Sequence, residues 1–287
     1  MKQTIDIKLI ECPRDAMQGF ERIIPTAEKV SYVQSLLQVG FDTLDMGSFV
    51  SPKAIPQMAD TADVLRQLST VASSSKRLVI VANERGAHDA LTFSSIDFLG
   101  FPFSVSETFQ QRNTNAGREK AFSTIQALQE LCVIAQRKLV VYLSMAFGNP
   151  YGDVYHVDEV LEWAHRLQPL GITIFSLADT VGMASPDQVF GLASSFKREF
   201  PEIETGLHLH ASPTGWQEKV EAGLQAGCYR YDAAFGGVGG CPMASDRLVS
   251  NLNMELLVEW LDEKGYSTGI DKNQLLACAS KAQQLFA

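Results

Sequence analysis

His208 and His210 are two residues apart in the run Glu204-Thr205-Gly206-Leu207-His208-Leu209-His210. In an extended strand that spacing turns both imidazoles to one face, where two neutral rings can share one divalent metal. The same pattern also fits a pair of buried, hydrogen-bonded histidines or an exposed turn. Asp15, far away in the chain, offers a carboxylate oxygen. Mixed oxygen and nitrogen ligation suits Mg2+ or Mn2+, and Zn2+ is also compatible. As a plain turn or helix-cap carboxylate, Asp15 would have no such role. Its neighbour Arg14 carries a planar cationic fork suited to a carboxylate, a phosphate or a developing enolate oxygen, or to a salt bridge at the mouth of a fold. Gly236 to Gly240 holds four glycines in five positions and ends at Cys241. Such a loop suits motion or a close backbone approach to a ligand, and its thiol could act as acid or base when a substrate closes the site. A tight turn with an incidental cysteine has the same sequence. The loop lacks the following Lys-Ser/Thr, or the place after a first strand, that phosphate-binding glycine patterns need.

These residues need elements to carry them. Short apolar, β-rich runs recur at 4–11, 40–49, 76–83, 94–103, 138–147, 171–180, 204–211 and 229–237. Between most of them lie segments of helical period, such as Phe122, Ile125, Leu128 and Cys132, or Val160, Leu161, Ala164 and Leu167. Ser185-Pro186-Asp187-Gln188 reads as a capping box with proline in the first helical position. The unit 86–93 reads as too short for a full helix. Alternation of this kind gives a doubly wound sheet or a closed α/β barrel, and a count of eight strands favours the (β/α)8 TIM barrel. One domain over 1–287 is expected, with added helices from about residue 244. In a barrel the active site is built at the strand C-terminal ends. That filter selects Arg14 and Asp15 at the end of the first strand, Asp45 in the second, Asp179 at the end of the sixth, the two histidines at the end of the seventh and Cys241 beyond the eighth.

Composition narrows the partners. Of the 287 residues, 46% are hydrophobic and 20% charged, which suits a large buried core and argues against disorder. A formal charge of −9 disfavours nucleic acid or an anionic membrane, although a local basic pocket could still take an anionic small molecule. The chain opens with no signal-like segment and contains no apolar run of about 18 residues, so a cytoplasmic location is expected. Five scattered cysteines, Cys12, Cys132, Cys228, Cys241 and Cys278, include no C-x-x-C pair and suggest reduced thiols.

Several segments together carry a resemblance. They are Pro13-Arg14-Asp15 with Gln18; Ser48-Phe49-Val50-Ser51-Pro52-Lys53 followed by Pro56-Gln57-Met58; Ser106-Glu107-Thr108-Phe109; Phe147-Gly148 with Pro150-Tyr151-Gly152; Asp179-Thr180; His208-x-His210; and Gly239-Gly240-Cys241-Pro242. Over nearly its whole length the chain resembles the 3-hydroxy-3-methylglutaryl-CoA lyase family of metal-dependent TIM-barrel lyases. The resemblance implies that Asp15, His208, His210 and Asn251 bind a divalent cation, that Arg14 sits on the thioester side, that Cys241 is a mobile-loop thiol, and that Asp179 is a carboxylate at or behind the barrel mouth. His208 or Asp45 would take the substrate's hydroxyl proton. An acyl-CoA substrate and a homodimer are also implied. Three departures stand out: Ala211 where the family usually has Asp, Asp45 where it has Glu, and Cys12 and Ala16 where it has glycines. Asn251 follows Cys241 by ten residues, one more than the family spacing. The rivals are a barrel aldolase for 4-hydroxy-2-oxoacids, a Claisen-type synthase of the isopropylmalate or citramalate kind, or a non-catalytic ligand-binding relative.

Overall fold

Eight parallel strands close into a barrel in chain order, β1 to β8, in the computed structural model, which describes residues 5–240 and 250–287. They are β1 Lys8–Glu11, β2 Thr43–Ser48, β3 Lys76–Ile80, β4 Phe98–Ser104, β5 Lys138–Ser144, β6 Ile174–Asp179, β7 Glu204–Leu209 and β8 Arg230–Ala233. Each lies within an expected run or overruns it by one residue. Their apolar, nearly continuous burial follows from parallel strands being covered on both faces. Residues of one parity pack against the helices in the main core, while the other parity fills the barrel.

The barrel interior is divided. Leu78, Ile80, Val140, Tyr142 and Ile174 make an apolar side. Asp45, Ser176, His208 and Asp232 make a polar one, contributed by β2, β6, β7 and β8. The N-terminal end is closed by Arg230, only 2% exposed, whose Nη1 lies 3.2 Å from Glu204 Oε1 and 3.5 Å from Asp42 Oδ1. Gly206 makes room for it, since a Cβ there would meet Arg230 Cδ at 3.0 Å.

Two expectations need correction. Most of segment 86–93 lies in a complete two-turn helix, Glu84–Leu91, because Asn83 caps it by accepting from Gly86 N at 2.9 Å and because its Ala87 and Ala90 are buried. Arg14 and Asp15 do not end a strand; they lie in the helix Pro13–Gln18, which starts right after β1 with proline at its first position. The capping box at Ser185 forms as expected, opening the helix Pro186–Glu199.

After residue 250 the chain first crosses the top of the barrel. Ala211 N donates to Ser250 O and Ala234 N to Leu252 O, both at 3.0 Å, so residues 250–253 are tied to the ends of β7 and β8. Helices Met254–Glu263 and Lys272–Leu285 follow, in the region where added helices are expected. No helix among the described residues is long and apolar enough to cross a membrane.

Candidate active site

Asp15, His208 and His210 converge at the C-terminal mouth, with one donor atom from each within 4.8 Å of the others. Asn251 joins them from the crossing segment. Its Nδ2 donates to Asp15 Oδ2 at 2.7 Å and to Val238 O at 3.0 Å, and it forms an isolated bridge with His210. The four residues that the resemblance groups are therefore brought together.

Neighbours fix both histidine tautomers. His210 Nδ1 lies 2.9 Å from the Thr180 carbonyl oxygen, and His208 Nδ1 lies 3.0 Å from Asp232 Oδ2. A carbonyl or carboxylate oxygen only accepts, so each Nδ1 carries a hydrogen, and in the neutral ring Nε2 is left with the lone pair. His210 Nε2 and Asn251 Oδ1 are buried without a hydrogen-bond partner among the described residues. Two lone-pair atoms in that condition, next to a buried carboxylate, fit a divalent cation. Burial alone would raise the Asp15 carboxyl, but Arg14 and the two imidazoles outweigh it and hold the group down at about 2. Burial lowers His208 while Asp232 more than restores it, so this ring is raised; burial and His208 together lower His210.

Arg14 is locked from three directions. Its Nε donates to both Asp45 oxygens, at 3.2 and 3.0 Å, and its Nη2 also meets Asp45 Oδ2. Nη1 donates to Asp15 Oδ1 at 3.0 Å and to Gln18 Oε1 at 2.9 Å. Among the described residues this leaves one of the five guanidinium N–H groups, on Nη2, for a ligand. Burial opposes the charge, yet Asp45 and Asp15 together raise the group further above its ordinary value, so it stays a cation. Burial also pushes up the Asp45 carboxyl, with Arg14 pulling it back.

A cavity opens above these groups. Arg14, Asp15, His208 and His210 line one side, and Val50, Ile55, Ile80, Pro102, Phe109 and Tyr142 provide apolar wall opposite. Asp45 lies beneath Arg14 and does not line it. Asp179 also stays outside: strand parity turns Ala178 and Thr180 to the cavity and Asp179 to the helices, where it accepts from Lys219 Nζ at 2.9 Å and from Ala184 N at 3.2 Å. Lys219 Nζ also donates to His210 O at 3.0 Å, so the pair braces the histidine strand from behind. Ala211 is buried beside it and bonded only through its backbone to Ser250. Cys241 lies outside the described residues.

Asp232 and Lys219 are not among the residues singled out from the sequence. Register could have found Asp232: it pairs directly with His208 across β7 and β8, on the inward parity. Cys12, where glycine is expected, is buried close to both, and burial with the nearby carboxylates keeps its thiol strongly protonated.

Comparison with known proteins agrees with this geometry. The HMGL-like family pattern matches residues 7–281. The chain is 30% identical over 271 residues to the mitochondrial hydroxymethylglutaryl-CoA lyase of Mus musculus, covering 94% of this chain and 82% of that protein. It is equally 30% identical, over 278 residues, to the (R)-citramalyl-CoA lyase of Chloroflexus aurantiacus, covering 93% and 86%. A solved HMG-CoA lyase from Acinetobacter baumannii, in complex with coenzyme A and 3-methylmalate, superposes with a TM-score of 0.89 at 29% identity, over 98% of this chain and 91% of that one. Barrel, a buried Asp–His–His–Asn cluster at its mouth and near-full-length similarity coincide in one chain, which belongs to the HMGL-like family.

Proposed function

We propose that this protein is a divalent-cation-dependent carbon–carbon lyase that cleaves 3-hydroxy-3-methylglutaryl-CoA to acetyl-CoA and acetoacetate. The observation that carries the reading is the cluster of Asp15, His208, His210 and Asn251, with two buried lone-pair atoms, beside a locked Arg14. The coenzyme A bound in the Acinetobacter baumannii neighbour supports a CoA thioester as substrate.

Asp15, His210 and Asn251, with His208 on the same face, would hold the cation; their mixed donors suit Mg2+ or Mn2+ best, and Zn2+ also fits. When bound, it supplies Lewis acidity that makes a substrate hydroxyl easier to ionise. His208 lines the cavity with Asp232 on its Nδ1, an arrangement that leaves the Nε2 lone pair of the neutral ring to serve a cation or the hydroxyl proton. Asp45, with both oxygens on Arg14, holds the guanidinium and is not the proton acceptor. Loss of the hydroxyl proton converts that carbon to the ketone of acetoacetate as its bond to C2 breaks. The bonding pair moves into the thioester as an enolate, toward which Arg14 offers its charge and its free Nη2 N–H. Cys241 then delivers a proton to the enolate carbon, giving acetyl-CoA. The apolar wall accepts the uncharged part of the acyl chain and keeps water from the enolate.

A second reading has specific support: the (R)-citramalyl-CoA lyase relative is as similar as the mouse enzyme, and Ala211 removes a carboxylate expected near the cation. The test uses chelator-stripped protein with Mg2+ or Mn2+ restored, and measures acetyl-CoA released from 3-hydroxy-3-methylglutaryl-CoA or (R)-citramalyl-CoA and 2-oxoacid released from a free 4-hydroxy-2-oxoacid. Cation-dependent release from the first is expected. Release from only the second would change the substrate, and no release from either thioester would overturn the lyase reading.

A further inference from the structure

Asp232 is a fully buried carboxylate on β8, its side chain 0% exposed. The partners it has are His208 Nδ1 at 3.0 Å and Ser176 Oγ at 3.4 Å, and its Oδ1 has none among the described residues. Burying a carboxylate costs several kcal/mol of hydration, and a weak hydroxyl contact returns little of it. The imidazole is thus its main compensation, and the two groups depend on each other.

The pairing is written into the sheet. In the parallel register His208 lies directly opposite Asp232, while Ser176 comes from β6 on the other side of β7. Three adjacent strands therefore contribute one chain of contacts, Ser176 to Asp232 to His208. The ring is also flanked by Tyr142, edge-on at 6.0 Å between ring centroids, and by His210 at 5.1 Å. His210 has a different acceptor behind it, the neutral carbonyl of Thr180. A carboxylate makes its imidazole partner the more electron-rich ligand, so the two histidines are chemically unequal despite their shared strand.

We infer that Asp232 is the positioning residue for His208: it holds the imidazole as the Nδ1–H tautomer and directs the Nε2 lone pair to the Asp15–His210 cluster. This rests on the cation-dependent reading above. Asp232 touches neither substrate nor cation; it acts through the ring. Removing such a carboxylate lowers metal affinity by about 10–100-fold in comparable sites.

Two readouts test this: the His208 tautomer, from nitrogen and proton NMR of histidine-labelled, cation-free protein, and the Mn2+ affinity, from paramagnetic resonance of free Mn2+. Wild type should show one tautomer at His208. Asp232→Ala should lose that preference and bind Mn2+ about 100-fold more weakly. Asp232→Asn keeps an acceptor oxygen without the charge; it should restore the tautomer and bind about 10-fold more weakly than wild type. A folded Asp232→Ala with the wild-type tautomer and affinity would overturn the assignment. If that variant does not fold, Asp232→Asn decides alone, and unchanged affinity overturns it. Wild-type protein that binds no Mn2+ would remove the cation reading instead, and the tautomer comparison would still judge Asp232.

Discussion

Asp45 grips Arg14 with both carboxylate oxygens, and the two side chains are 1% and 11% exposed. A guanidinium held in this way cannot swing toward the cavity; it can only present the one N–H left over. Asp45→Ala should therefore lower kcat by roughly 100- to 1,000-fold, the scale of losing an aligned oxyanion donor. It should also destabilise the fold by about 3–5 kcal/mol, since a buried charge loses its partner. Steady-state kinetics of Arg14→Ala, Asp45→Ala and the double variant provide the check. The double variant should be no slower than Arg14→Ala, and additive losses would give Asp45 a separate role.

Asn251 bonds to Asp15 through Nδ2 and leaves a buried Oδ1 that has no partner among the described residues. If that oxygen is a cation ligand, Asn251→Ala should weaken Mn2+ binding by at least 10-fold, comparable to losing an outer partner of a metal site. Asn251→Asp adds a charge beside Asp15 and should weaken binding less. Calorimetric titration of stripped protein measures both, and unchanged affinity in the alanine variant would remove Asn251 from the set.

The eight strands were legible because buried parallel strands demand short, nearly continuous apolar runs, and each run stands out between helical periods. His208 and His210 were legible because a spacing of two means one face in a strand. Asp179 shows where that reasoning stops. Lying at a strand end selects it, but a shift of one residue exchanges cavity for helix layer, and only the structure shows Thr180 facing in and Asp179 bound to Lys219. Asp232 escaped for the opposite reason: Tyr231-Asp232-Ala233 has no motif, and its meaning lies in the register with His208. Asn83 likewise gains weight as a helix cap only once its side chain is seen on Gly86 N.

Thiol reactivity offers a test of the role proposed for Cys241. Cys12, Cys132, Cys228 and Cys278 are all buried, and burial pushes Cys132 and Cys228 up to about 12 and Cys278 to about 11. Such thiols are almost entirely un-ionised at pH 8 and react slowly with iodoacetamide. In native protein these four should stay unmodified until denaturant is added, and loss of activity should track alkylation of Cys241 by peptide mass mapping. Cys241→Ala should lower turnover about 100-fold or more, the scale of removing a positioned acid, while Mn2+ still binds. Near-normal turnover in that variant would end its role as proton donor.

Glu11 sits outside the barrel wall, under the start of the glycine loop. It is 0% exposed, with Oε1 accepting from Phe235 N at 3.3 Å and Oε2 unpartnered among the described residues. Glu255 anchors the next residue, accepting from Gly236 N at 2.9 Å. Burial drives the Glu11 carboxyl well above the usual glutamate range; the Phe235 N–H opposes this and the charge of Glu255 adds to it. Because its folded value exceeds its unfolded one, the folded protein binds the proton more tightly. Its contribution to stability is thus favourable at low pH and falls as pH rises from the ordinary glutamate value, about 4.3, through the folded value. Glu11→Gln keeps an acceptor for Phe235 N and cannot ionise. It should raise Tm at pH 7–8 by about 2–4 °C for each kcal/mol of charge penalty removed, and the gain should shrink toward pH 4.5. A variant that melts lower than wild type at every pH would mean that the ionised Glu11 supports the fold, and with it the base of the loop that carries Cys241.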